Sequence, residues 1–431
     1  MRPSKLFISL LVAATACRAP DVTAFVDVDV LDVRRGTVVA GRTVLVRGAR
    51  IVAVGAAEEV RVPPGATRHL GGVLIPGLWD LHLHDVEDPV VLRACLSAGV
   101  TTVRGMGGDP DATLAMRAAV AAGEVDGPRL FVPGPFLGGP EWAPWHVVLP
   151  SAADAAAEVY RLHDAGVDFL KVHDQMSAEA YAALAETARE VGLSWAGHVP
   201  RGLDPLDVVR RGQSSLEHAS ILAEHGLTGR ALESDEGFAE WCDAWVRDTG
   251  TALAAEMKAR GAALVPTLVA SEALTRAMDP SGDAWSDPRL DDVPAATLDE
   301  WRALLPAEGL PEDFLQERRC VDRAARFLTG FLAERDVAVL VGTDGGAPLT
   351  PHGASIHDEL ALLEECGLDR ATILRAATLG AADLLGQADV GAVEVGFVAD
   401  LVLVAGDPLT ELAVLREPRV VLRAGAVVVP R

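Results

Sequence analysis

Six side chains able to hold or move charge stand at or near the ends of separate apolar runs in the middle of the chain. His82 and His84 close the run that begins at Leu78. On a strand, residues two apart share a face, so both imidazoles aim the same way, roughly 7 Å apart, and can close on one ion. Lys171 lies inside Phe169-Leu170-Lys171-Val172, where an unpaired ammonium is costly. His198 ends Ser194-Trp195-Ala196-Gly197-His198, and His218 ends Ser215-Leu216-Glu217-His218. Asp344 follows Val341-Gly342-Thr343. Imidazole suits zinc and other first-row metals, and a carboxylate completes such a shell. Each residue alone has a bland explanation: a satisfied core histidine, a strand-end charge, a turn cap. Their recurrence at equivalent strand ends points to one metal-dependent site.

The elements that must position them follow a pattern. Eight apolar or β-branched runs appear: Leu78–His84, Val100–Arg104, Arg129–Pro133, Phe169–His173, Ser194–His198, Ser215–His218, Ala263–Thr267 and Ala338–Thr343. Ala-rich helical stretches such as Ala152–Ala165 and Ala178–Val191 separate them. This alternation predicts an α/β fold, a (β/α)8 barrel over 75–385, whose active site belongs at the C-terminal ends of its strands. Val-rich segments over 18–74 and 386–431 predict short strands from both termini meeting in a small β-sandwich domain. Two connections are too long for ordinary barrel units and predict helical insertions within about 222–336, either covering the barrel mouth or decorating the surface.

Composition narrows the partners. Asp plus Glu number 62 against 38 Lys plus Arg, a net charge of −24, with no basic stripe, which excludes nucleic acid. At the N-terminus, Arg2 and Lys5 precede an apolar stretch, Leu6 to Ala13, too short for a permanent membrane helix. Ala14-Thr15-Ala16-Cys17 follows, small residues before a cysteine, as in the bacterial lipobox. The expectation is a signal peptide over 1–17 and an exported protein. It is either anchored through lipid on Cys17, in the periplasm or at the outer membrane, or secreted after cleavage at Ala16. Cys95, Cys242, Cys320 and Cys366 contain no CxxC pair, which excludes a zinc ribbon or dithiol motif; disulfide and free thiols stay equally open.

The set Pro76-Gly77, Asp80, His82-Leu83-His84, Lys171, His198, His218 and Thr343-Asp344 resembles the amidohydrolase superfamily, nearest its imidazolonepropionase/prolidase-like group. Gly99–Arg104, Gly127-Pro128-Arg129, Gly166–Val172, a helix over Leu374–Leu385 and Ala399–Val402 add to the likeness. The resemblance implies a hydrolase with two divalent ions, zinc the expected one. His82, His84 and Asp344 would hold the first and His198 and His218 the second. Lys171, carboxylated by CO2, and a hydroxide would bridge them, with Asp344 shuttling the proton. It further implies amide hydrolysis of a dipeptide or N-acyl amino acid. Cyclic-amide hydrolysis, deamination, or lactone and phosphotriester cleavage are alternatives on the same metals. A surface protein that only binds would have lost ligands, and all six stand here. For the substrate, Arg104, His173 and His146 are candidate contacts, and a homo-oligomer is compatible with the chain.

Overall fold

Parallel strands joined by amphipathic helices bury both faces of the sheet, so each barrel strand is a largely apolar run. The computed structural model describes residues 22–139, 145–224, 227, 234–279, 283–305 and 310–428. The signal segment with Cys17, and also Trp142, His225, Pro280-Ser281-Gly282 and Pro306, lie outside the described residues. All eight expected barrel strands form: Leu78–Leu83, Val100–Gly105, Arg129–Phe131, Phe169–Val172, Ser194–Gly197, Ser215–Glu217, Ala263–Val265 and Ala338–Val339. Neighbours pair in parallel. Leu81 donates its backbone N–H to Val341 (2.9 Å), joining first strand to last, and Asp168 donates to Val132 (2.9 Å), joining third to fourth.

Helices Ala152–Ala165 and Ala178–Val191 have the expected bounds. Each starts on a serine whose hydroxyl accepts a backbone N–H and ends on a left-handed glycine, Gly166 or Gly192. The single helix expected over Leu374–Leu385 is instead two, Arg370–Ala376 and Leu379–Leu384. The Ala377 carbonyl is taken by the Trp79 N–H of the first barrel strand, and the Thr378 hydroxyl donates to the Leu374 carbonyl (2.6 Å). Both bonds compete with the helical ladder at the break.

Both termini build one mixed eight-stranded sheet, in which Val73–Pro76 pairs antiparallel with Leu401–Val404. Phe25, Val28, Val44, Leu74, Leu401 and Leu422 share its core. The same strand that ends at Pro76 runs on into the first barrel strand, so this domain fixes the start of the segment that carries His82 and His84.

The long connections contain helices Asp235–Trp245 and Thr251–Arg260 in the first, and Leu268–Met278, Ala295–Ala303 and Glu312–Ala333 in the second. The second packs on the loop after Asp344. Leu349 of that loop joins Ala273, Ala277, Leu290 and Trp301 in one apolar cluster, and Trp301 Nε1 donates to the Gly346 carbonyl (2.8 Å). Among the described residues no disulfide joins Cys95, Cys242, Cys320 or Cys366.

Candidate metal centre

His82 is fully buried at the end of the first strand, and its Nδ1 lies 2.8 Å from Glu217 Oε2. That contact turns Nε2 toward the barrel mouth. Asp344 Oδ1 stands 3.3 Å from His82 Nε2 and 2.9 Å from His84 Nε2. One donor atom from each of the three falls within 4.8 Å of the others. Asp344 reaches this place because its backbone is left-handed (φ 57°) and its N–H is anchored on the His82 carbonyl (2.8 Å). Asp80 ties the two strands together: its carboxylate accepts from the Thr343 hydroxyl (2.6 Å), the Thr343 N–H (3.0 Å) and the His82 N–H (3.1 Å). Burial pushes the Asp80 carboxyl up to about 6, against those hydrogen bonds.

His218 lies next to these, its ring centroid 4.5 Å from that of His82 and 4.8 Å from that of His198. Strand alternation alone would aim His218 away from Glu217; a left-handed φ of 64° brings it round to the mouth. Its Nδ1 is held 2.8 Å from the Thr267 hydroxyl. Burial, first of all, holds the His198 and His218 imidazoles well below the usual histidine range, reinforced by Lys171 at the former and His82 at the latter. Neutral imidazole is the form that binds metal. At Asp344, burial opposes ionisation, yet His218, His82 and His84 together hold the carboxyl well below its usual range.

Lys171 is fully buried, and its Nζ has no hydrogen-bond partner among the described residues. Burial lowers the ammonium to about 8 despite the pull of Glu217 and Asp344. His82 Nε2 and His198 Nδ1 are likewise buried without a hydrogen bond. Unmet donors and acceptors converging on one mouth are costly unless something binds them. The donor set of imidazoles and a carboxylate fits divalent metal.

Arg104 differs from its expected role. It is 1% exposed, and its guanidinium donates to the Leu81 carbonyl (2.7 Å), the Ser215 hydroxyl (3.0 Å) and Glu217 Oε1 (2.7 Å). Fully buried and turned into the barrel with three of its five N–H groups bonded there, it supports Glu217, which supports His82. Burial opposes the Glu217 charge, but Arg104 and then His82 pull its carboxyl down to about 2. Glu217 was assigned no role from the sequence. The signal was there in part, since Ser215 and Glu217 share a strand face directed into the barrel, but its partner comes from across the interior.

His173 and His146 stand together at the mouth. The His173 ring lies 4.6 Å from His198 and 5.3 Å from His146, and Phe136 stacks on His84 at 5.6 Å. The short strands Phe136–Leu137 and His146–Val147 extend the sheet beside the Lys171 strand and carry these rings. His352 Nε2 lies 3.3 Å from Asp85 Oδ2 at the same end of the barrel.

The chain matches the amidohydrolase family over residues 73–428. It belongs to that family. Family membership makes it a metal-dependent hydrolase acting on amide bonds. No curated protein matches it significantly. Among solved structures, a candidate prolidase from Bifidobacterium longum has 23% identity and a TM-score of 0.73, covering 96% of each chain. A prolidase complexed with N-methylphosphonate-L-proline has 22% identity and a TM-score of 0.71, covering 95% of this chain and all of its own. Bottromycin amidohydrolase has 27% identity and a TM-score of 0.74, covering 95% of this chain and 88% of its own.

Proposed function

We propose that this amidohydrolase uses two divalent ions, zinc by expectation, to hydrolyse the amide bond of a dipeptide or N-acyl amino acid. His82, His84 and Asp344 would hold the first ion and His198 and His218 the second, with carboxylated Lys171 as a ligand common to both. The observation that carries this reading is the buried, unpartnered Lys171 Nζ beside neutral imidazoles. An ammonium there would repel cations. A neutral amine instead attacks CO2, forming an N–C bond, releasing a proton and leaving a carbamate whose oxygens are anionic ligands. Burial favours the neutral amine that this step needs.

Bound ions supply Lewis-acid polarisation of the scissile carbonyl and an acidified water. The protein's own groups do the rest. Asp344, kept ionised, accepts the proton from the attacking water and passes it to the departing nitrogen. Glu217 fixes the His82 tautomer with Nδ1 as donor, so that Nε2 presents its lone pair. His146, His173 and Phe136 wall one side of the mouth against the substrate. The prolidase-like neighbours support a small amino-acid amide as substrate.

The test is direct. Metal analysis of the purified protein is expected to give close to two ions per chain. Carbon-13 spectra under labelled CO2 are expected to show a carbamate lost in Lys171→Ala; no carbamate, and a metal content unchanged in that variant, would end the bridging role. Turnover is to be screened on dipeptides and N-acyl amino acids, with cyclic amides and lactones as rivals. Export with lipid on Cys17 belongs to the same proposal; palmitate labelling should be present in the native chain and absent in Cys17→Ser.

A further inference from the structure

The unmet atoms of the first ion's site have a counterpart on the far side of His198. His173, Asp174 and His198 each place one donor atom within 4.8 Å of the other two. His173 Nδ1, Asp174 Oδ1 and His198 Nδ1 are all buried, and none makes a hydrogen bond among the described residues. His173 Nδ1 and Asp174 Oδ1 stand only 2.7 Å apart, with side chains 15% and 10% exposed, yet they are not aligned as donor and acceptor. His82 Nε2 likewise lies 3.3 Å from Asp344 Oδ1 without a hydrogen bond, although that oxygen is bonded to His84 Nε2. Atoms that crowd together without bonding one another are directed at a shared point. Ligands of one zinc ion, each about 2.0–2.2 Å from it, crowd in the same way.

We propose that His173 and Asp174 belong to the second ion's ligand set, alongside His198. The cluster is built, not accidental. Asp174 Oδ2 accepts from Arg201 Nε (2.6 Å), and the Arg201 N–H donates to the Asp174 carbonyl (2.7 Å), so one carboxylate oxygen is locked and the other left toward the histidines. His173 follows Lys171 by two and therefore shares its strand face. Its N–H donates to the Leu137 carbonyl (2.8 Å), which sets the ring. Arg201 offsets the Asp174 charge, although its side chain is 74% exposed and screened.

The inference rests on the two-ion reading, since it adds ligands to the second ion. The experiment uses the full chain, stripped with a chelator, titrated with Co(II) and followed by calorimetry, visible absorption and metal count after dialysis. Asp174→Asn and His173→Gln are each expected to weaken the second ion at least tenfold, to change its cobalt bands, and to leave the first ion's affinity as in the native chain. Two variants that titrate like the native chain would overturn it. Lys171→Ala separates this inference from the bridging lysine. Loss of the second ion in Lys171→Ala alone keeps the bridge and discards His173 and Asp174. Loss in Asp174→Asn and His173→Gln alone does the reverse. A native chain that takes up a single ion, unweakened in every variant, discards both.

Discussion

Glu217 offers the sharpest test of how the barrel interior serves the metal centre. Glu217→Ala removes the carboxylate paired with the Arg104 guanidinium, the only one among the described residues, leaving it the Leu81 carbonyl and the Ser215 hydroxyl at 1% exposure. An unpaired buried charge of this kind costs about 3–5 kcal/mol. The same change takes the acceptor from His82 Nδ1, and loss of such a partner lowers metal affinity about 10–100-fold. The two effects separate in the double variant Arg104→Met, Glu217→Leu. With both charges gone, stability should return to within about 1–2 kcal/mol of the native chain, because an apolar pair replaces a buried ion pair at little cost. Metal affinity should stay low, because nothing orients His82. Urea unfolding of the metal-free protein measures the first quantity, and competition with a chromophoric chelator the second. Native-like stability in Glu217→Ala, or native-like metal affinity in the double variant, would refute the argument.

Other perturbations read different parts of the site. Gly342→Ala would set a Cβ 2.4 Å from Val265 Cγ1 and 2.8 Å from His82 Cβ; unfolding should show a loss of about 1–3 kcal/mol, with metal binding weakened alongside. Asp344→Asn should lower turnover by about 10²–10⁴-fold while metal analysis still finds ions bound; retained turnover would reject the proton-shuttle role. Burial pushes the Glu359 carboxyl from its ordinary 4.5 up to about 8, against hydrogen bonds from Val269 and Leu268. The folded chain thus keeps a proton that the unfolded chain gives up, so stability falls as pH rises between those values and levels above them. Glu359→Gln should flatten that slope in urea unfolding at pH 5, 6.5 and 8, and parallel curves would contradict it.

The barrel and its candidate ligands were legible because one rule covers both. Apolar runs of strand length are cut short by His84, His198, His218 and Asp344, and strand ends converge whatever the loops do. Arg104 satisfied the same rule and was misread. A strand-end position says that a side chain is near the mouth, but not whether a partner inside the barrel claims it. That partner, Glu217, is 113 residues away in sequence. Thr67–Leu70, Phe136–Leu137 and His146–Val147 are strands too short or too polar to show a period of two. Asp174 drew no notice because its meaning depends on Arg201 and His198, both brought from another strand and its loop.

Backbone conformation is the part of the site least visible in sequence. His218, Thr267 and Asp344 all lie in the left-handed region, at φ 64°, 48° and 57°. None is glycine, and for β-branched Thr267 this region is a genuine outlier. Each such residue costs on the order of 1–3 kcal/mol and persists only where its surroundings hold it. The holders are visible. His218 N–H donates to the Val265 carbonyl (3.0 Å), and Asp344 N–H donates to the His82 carbonyl (2.8 Å). Thr267 opens the helix whose first N–H groups, at Leu268 and Val269, are capped by Glu359. The left-handed turn at His218 cancels strand alternation. It lets Glu217 point inward to Arg104 while the next residue points to the mouth. One strand end thereby supplies both a metal-facing imidazole and the carboxylate that orients another, which an extended strand could not do at adjacent positions.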